Sequence, residues 1–434
     1  MEGQRFSDSI GARMKLSLPG RLQQPLTTLR QSSLARNAGW MLAGQGLNVV
    51  FQAAYFILLA RLLGTVEYGI YAGAIALVTI LGNFSSLGSG TLFVRYVTAD
   101  RKNFSVYWGN ILLSTFLLSG FVILGLKFFA SHFVSSSSAS IIVVVAIGEC
   151  FCRQLAYACG QVFQTYEKLK ITALLNLLTS FLRLLASGAL LLALHHATAR
   201  QWAAASLIVS LLVSASAVFL VQRSFGRPTF SLRLARQRAT EGFGFSFSGS
   251  AASVFNDVDK TMLSHHHMDA ANGIYTVAYR VVDIGTMPVY SLFSAAFPRF
   301  FASGDNPAAA RTYAERLVKR SVLMALVLAA GMFLLAPVLP VLAGKGFAES
   351  VSALRWLCLI PMFRSLHLSA GSALTGSGLQ RYRTGSDVFV ALLNVGLNLY
   401  LIPRYGWHGA AFASLASDGT LGILNWTLLA VLSR

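Results

Sequence analysis

Charged side chains set in apolar sequence are where this chain could do chemistry. Arg280 and Asp283 stand three residues apart inside a long apolar segment, so on a helix they share a face. A guanidinium offers planar donors that pair with two phosphate oxygens at once. The other reading of the pair is a self-neutralised contact that packs helices together. Glu149 and Arg153 are four apart and are read as a local ion pair, or as a pair whose Arg153 adds a second anion contact. Arg183 and Arg364 have no acid three or four residues away, which makes each a candidate to face water.

Softer polar groups recur at helical spacing. Gln45, Asn48 and Gln52 form a stripe whose amides suit sugar hydroxyls or bonds between helices. Ser246, Ser250, Ser253, Asp257 and Lys260 form a second stripe, joined by Asn256 and Asp259 into a charged cluster. Asp387, Asn394 and Asn398 lie on a later segment. Asp257, Asp259, Asn394 and Asn398 are candidates to couple movement to a proton or sodium gradient, or to bond helices to one another. His265, His266 and His267 are adjacent; three successive residues cannot converge on one metal, and they read as a solvated loop. Cys150, Cys152, Cys159 and Cys358 lack metal or redox spacing and read as packing residues. No catalytic residue, resident metal or cofactor is expected, because no phosphate loop, nucleophile elbow or ligand motif is present.

The elements that must position these residues are membrane helices. The chain of 434 residues is 55% apolar and 12% charged, where a soluble domain carries about 25% charged residues. Apolar runs fall at 37–60, 68–94, 105–126, 139–164, 171–194, 201–222, 242–263, 272–298, 320–343, 350–376, 384–403 and 407–432. Each is long enough for a bilayer, and backbone groups in lipid must be satisfied internally, so all are helices. The fold class is an all-α integral membrane protein with about twelve transmembrane helices. Its expected parts are a tail at 1–36, an N-lobe at 37–222, a linker at 223–241 and a C-lobe at 242–434.

With the N-terminus inside, 24 Lys and Arg residues fall in the tail and inner loops and five in the outer loops. This bias predicts a multi-pass protein of the cytoplasmic, inner membrane with both termini cytoplasmic. The net charge of +19 therefore needs no nucleic-acid partner; it sets topology and attracts anionic lipid headgroups. Pro288, Pro298, Pro337, Pro340 and Pro361 all lie in second-half helices, and none occurs between Pro25 and Pro228. Bent helices are therefore expected in the second lobe.

The halves repeat at an offset of 204 residues: Gly69-Ile70-Tyr71 falls on Gly273-Ile274-Tyr275, Phe93 on Phe297 and Arg95 on Arg299. An even number of helices separates the copies, so the repeat is parallel, with substrate sites expected at the interface of the halves. Arg280 and Asp283 fall on Ala76 and Thr79, so the fold itself does not require charge there.

Leu59-Ala60-Arg61-Leu62-Leu63-Gly64 with Glu67-Tyr68-Gly69 resembles the first helical hairpin of the polysaccharide repeat-unit (Wzx-type) flippases. These belong to the multidrug/oligosaccharidyl-lipid/polysaccharide exporter superfamily. Asp259-Lys260, Gly273-Ile274-Tyr275 and Ala278 resemble their seventh and eighth helices, and Asn398 to Pro403 with Gly406 and Gly409-Ala410-Ala411 their last two. The resemblance implies two six-helix lobes around a central cavity and alternating access. It implies as substrate an oligosaccharide carried on isoprenoid pyrophosphate, with membrane lipids as partners and polysaccharide polymerase machinery as a candidate partner. Related lipid II flippases carry a functional Arg and a nearby acid in helix eight. Some relatives bind sodium with an Asp of helix seven and an Asn-x-x-x-Asp pair of helix eleven; here the pair is Asn394 and Asn398, without the second acid. The competing readings are an ion-coupled multidrug antiporter on the same fold and a lipid II flippase. Against the antiporter, the segments between 37 and 222 hold one acid away from their ends, Glu149, and two basic residues, Arg153 and Arg183.

Overall fold

The computed structural model describes residues 33–302 and 307–433. Most of the expected tail lies outside them, although helix already begins at Ser33. The first helical stretch, Ser33–Gly82, breaks at Gly64, whose backbone (φ 66°, ψ −177°) turns the chain without a loop. It is therefore two helices, α1 (33–63) and α2 (65–82). After a tight turn at Asn83–Ser85 and the left-handed Leu87 and Gly88, α2 resumes over Ser89–Ala99. There follow α3 (Phe104–Phe129), α4 (Ser136–Thr165), α5 (Leu169–Leu194), α6 (Ala199–Phe225), α7 (Leu232–His265) and α8 (Asp269–Ala302). Then come α9 (Pro307–Leu335, extended to Ala343), α10 (Ser350–Gly376), α11 (Gln380–Tyr405) and α12 (Trp407–Leu432). The described residues thus make twelve helical passes.

Nine stretches among the described residues are long and apolar enough to cross a bilayer, and the first, Gly44–Ala99, holds two passes. α7 and α8 are not among them because they carry the polar and charged residues of the lobe interface. Phe121 and Leu192 are 76% and 83% exposed, as side chains facing lipid must be. Passes alternate in direction, so the loops with most of the arginines gather at one end of the bundle, here called the basic end.

At the far end the lobes lock together on the repeated glycines. A Cβ on Gly69 would lie 1.7 Å from the Asp269 carbonyl oxygen, and one on Gly273 would lie 2.0 Å from that of Thr65. No residue but glycine allows α2 and α8 to approach so closely. The same bond is repeated around the axis: Ser138 donates to the Ile70 carbonyl (2.9 Å) and Ser350 to its repeat mate Ile274 (3.1 Å). Ser135, which caps α4, and Ser138 within it also meet Ser264 of α7, and Ser135 donates to Asp269 of α8. Arg61 donates to the carbonyls of Val341 and Leu342 across the lobes.

The two seams between the lobes differ. α2 and α7 stay in contact along their whole length, from Gly73 against Ser264, through Ser250 donating to the Ile80 carbonyl, to Arg95 paired with Glu241 at 2.5 Å. Along the second seam α1 and α8 carry exposed apolar side chains: Leu47 and Val50 of α1, and Tyr290, Phe297 and Phe301 of α8.

Two expectations are corrected. The linker 223–241 is short: residues from Leu232 are already α7, capped by Ser231. Bends are not confined to the second lobe. α2 breaks without proline at Asn83–Gly88, α4 contains a π-helical turn over Ile147–Arg153, and α8 stays helical through Pro288 and Pro298.

Candidate functional site

The site is built on the π-turn of α4, which packs against α2 and is reached by Arg183 of α5. A π-turn widens the helix by one residue and commonly marks functional positions. Here it places buried Glu149 between two arginines. Arg153 contacts one carboxylate oxygen through Nε, and Arg183 of α5 reaches the other at 3.2 Å. Arg183 is therefore not the isolated cation its sequence neighbours suggest; its acid comes from another helix. Its buried Nε has no hydrogen-bond partner among the described residues, so donor capacity is left over. Arg153 has half of its side chain exposed.

Arg280 faces this group from the other lobe. It lies within electrostatic reach of Tyr55 and Tyr68 of the N-lobe. Tyr55 lies within electrostatic reach of both Arg183 and Arg280, and Glu149, paired with Arg153 and Arg183, lies within the longer reach of Arg280. The contact of Arg280 with Asp283 is loose, at 3.9 Å, and the arginine side chain is 51% exposed. Asp283 is nearer to Arg364, at 3.5 Å.

Arg364 departs from expectation. It is buried, 4% exposed, rather than facing water. It donates to the Tyr279 hydroxyl at 2.9 Å and lies 3.9 Å from Asp418 of α12. Asp418 in turn is 3.4 Å from His367. These contacts hold α8, α10 and α12 together inside the C-lobe. Asp418 was legible by the same rule that singled out Arg280, an acid alone in an apolar run; His367 carried no such signal.

Among the amides, Gln45 and Gln52 are exposed, while Asn48 accepts from Ser180 of α5 at 2.6 Å. The α7 stripe is spent on the closed seam: Ser250 bonds α2, and Ser253 accepts from Asn83. Lys260 serves both acids, at 2.8 Å from Asp257 and 3.8 Å from Asp259. Asp259 also accepts from Tyr275 at 2.5 Å. Asn398 donates to Asn394, which donates to Ser417 of α12. The Asn398 side-chain oxygen is buried without a partner among the described residues. The candidate coupling residues thus form a packed polar set whose acids already have a counter-charge. No group of three or more metal-ligating side chains occurs among the described residues.

From residue 34 to residue 303 the sequence matches the profile of the polysaccharide biosynthesis proteins. The chain belongs to that family. No curated protein matches the sequence. Its fold is shared with a multidrug-resistance MATE-family transporter of the MOP superfamily solved in an inward-facing conformation. The TM-score is 0.71 at 16% identity, over 89% of this chain and 94% of the other. An outward-facing structure of such a transporter gives 0.60 at 16% identity, over 93% and 98%. A MOP-superfamily transporter from Pyrococcus furiosus, described as having a binding pocket of reversed polarity, gives 0.60 at 16% identity, over 92% and 96%. This polysaccharide biosynthesis protein is therefore a multi-pass membrane protein with a transporter fold, and its guanidinium group lies where its two lobes face each other.

Proposed function

We propose that this family member flips an oligosaccharide linked to isoprenoid pyrophosphate from the cytoplasmic to the outer face of the membrane. One observation carries the reading: Arg153 and Arg183 share one buried carboxylate, Glu149, and Arg280 has only a loose 3.9 Å contact with Asp283, which lies nearer to Arg364. An ion of that kind inside a membrane costs about 3 kcal/mol on insertion scales, so a standing excess needs an anion to offset it. A pyrophosphate matches the planar donor forks of the arginines. Gln45 and Gln52, exposed on α1, suit sugar hydroxyls. The lobes are locked together at the far end, which suits loading from the basic end, read here as cytoplasmic.

A multidrug-resistance transporter shares this fold among the solved structures. A pocket for cationic drugs needs an excess of acids, the reverse of the charge found here. The test is complementation in cells lacking their own flippase, with membrane abundance scored beside surface polysaccharide. Arg280→Gln is expected to be abundant but inactive, and Arg280→Lys to be weakened. Exchanging Arg280 and Asp283 is a poorer test, because an arginine at 283 would face Arg364. Full export by an abundant Arg280→Gln protein, or drug resistance without polysaccharide, would overturn the reading.

A further inference from the structure

The far-end lock is built twice, and its two copies differ in chemistry. The Thr65 carbonyl lies against Gly273, and the carbonyl of Asp269, the repeat mate of Thr65, lies against Gly69. The register that pairs Ser138 with Ser350 also pairs Ser135 with Phe347. Around Thr65 the lock is apolar: its methyl group lies against Gly346, and Phe347 packs edge-on against Tyr68. Around Asp269 it is polar. Ser135 donates to the carboxylate at 3.2 Å, and Ser264 bonds Ser135 at 3.3 Å and Ser138 at 2.9 Å. Only the backbone at 65 and 269 meets the glycines, so the fold does not call for a carboxylate at either place.

Asp269 spans the seam, since it belongs to the C-lobe and its donor Ser135 to the N-lobe. Its carbonyl is held against Gly69, so the carboxylate cannot withdraw while the lock is shut. The Ser138 hydroxyl donates to the Ile70 carbonyl at 2.9 Å, which leaves Ser135 and Ser264 to serve the acid. α4 and α7 thus present serines to it. The titratable groups within electrostatic reach are His267, in the turn between α7 and α8, and Glu67 of α2. Neither makes an ion pair with Asp269 among the described residues. Closing the lobes therefore takes a carboxylate out of water without a counter-ion, which favours its neutral form. Asp269 begins α8 ahead of the apolar run 272–298. Burial pushes its carboxyl above the ordinary carboxylate range, against the serine bonds and His267, which favour the charged form.

We infer that Asp269 is a proton-binding site of the far-end gate: closing the lobes takes up a proton from the far-side solution, and opening releases it. The sign follows from linkage. A carboxyl more basic in the closed state stabilises that state fully in acid, below its open-state value. The stabilisation is lost as pH rises through the closed-state value. The site is separate from the central guanidinium group and from Asp257 and Asp259. It rests on the parting of the lobes that the proposed function also needs, but not on which cargo is carried.

The test uses the full-length protein in detergent, with spin labels on Arg200→Cys of α6 and Arg404→Cys of α11. Both positions are exposed at the far end, one on each lobe, and the native cysteines are buried and stay in place. Double electron–electron resonance gives the ratio of closed to open molecules between about pH 5 and about pH 8. With the labels alone, the ratio is expected to be about tenfold higher at the acid end. Asp269→Asn keeps an acceptor for Ser135 but cannot titrate, so it should stay closed across the range. Asp269→Thr, the residue of the mated copy, should behave alike and covers the case in which asparagine disturbs the lock. Glu67→Gln, which keeps the bond from the Ala199 amide, should retain the response to pH. A ratio that ignores pH or rises with it would overturn the site. So would a response that survives in both Asp269 variants or disappears in Glu67→Gln. Arg280→Gln, carried in parallel, should keep the response, which separates failure of this site from failure of the central one.

Discussion

Each lobe contains one carboxylate between two guanidiniums, and the two forks are not equivalent. In the C-lobe Asp283 lies between Arg280 and Arg364, and Arg364 continues to a second acid, Asp418, so the group is neutral and much of it is buried. In the N-lobe Glu149 lies between Arg153 and Arg183, and no second carboxylate reaches either arginine among the described residues. The difference separates two jobs. A closed network holds helices together, while an open one leaves positive charge and unspent donors at the cavity. Arg280, at the loose edge of the C-lobe network, belongs with the second job.

The largest effect should come from cutting the closed network. Arg364→Ala leaves Asp418, 2% exposed, without its cation, and removing one partner of a buried pair costs about 3–5 kcal/mol. Thermal unfolding in detergent should show a much lower midpoint, with little protein in the membrane. A variant as stable as wild type would break the distinction between the lobes.

Next in size is the lock at the far end. Gly273→Ala puts a methyl group 2.0 Å from the Thr65 carbonyl oxygen, and overpacking of this kind costs about 1–3 kcal/mol. The closed far end should become less populated. Cysteines replacing Ser138 and Ser264, whose hydroxyls are 2.9 Å apart, report this once the four native cysteines are substituted. Disulfide formation should be fast in the parent and about tenfold slower with Gly273→Ala. Equal rates would mean that the repeated glycines do not govern closure.

The smallest effect sharpens the comparison. Glu149→Gln keeps an acceptor for Arg183 but removes the only charge offsetting the N-lobe fork. Binding of an isoprenoid pyrophosphate should tighten by up to about tenfold, measured by titration against wild type. Weaker binding would show that Glu149 orients the arginines more than it neutralises them.

Much of this architecture can be read from the order of residues. Apolar run length marked ten passes plainly, and the Gly-Ile-Tyr repeat located the axis on which Gly69 and Gly273 meet. The start of α7 was hidden because Arg233, Arg236, Arg238 and Glu241 make its first turns look like a loop; those turns pack on the N-lobe rather than in lipid. Pairings within one helix, such as Glu149 with Arg153, follow from spacing. Pairings between helices do not: Arg183 with Glu149 spans 34 residues, and Arg364 with Asp283 spans 81. No local rule reaches those distances, which is why Arg364 was expected in water and lies in the core.

The central claim is that the cavity selects an anion through Arg280. The most direct measurement is equilibrium binding of polyprenyl pyrophosphate and of a cationic dye to purified wild type and Arg280→Gln, with melting temperatures recorded alongside. A charged hydrogen bond is worth about 1.5–3 kcal/mol, so the variant should bind the pyrophosphate about 10- to 100-fold more weakly. Its melting temperature should be unchanged and its affinity for the dye no lower. Equal pyrophosphate affinity in the two proteins, together with tight binding of the dye, would contradict the account.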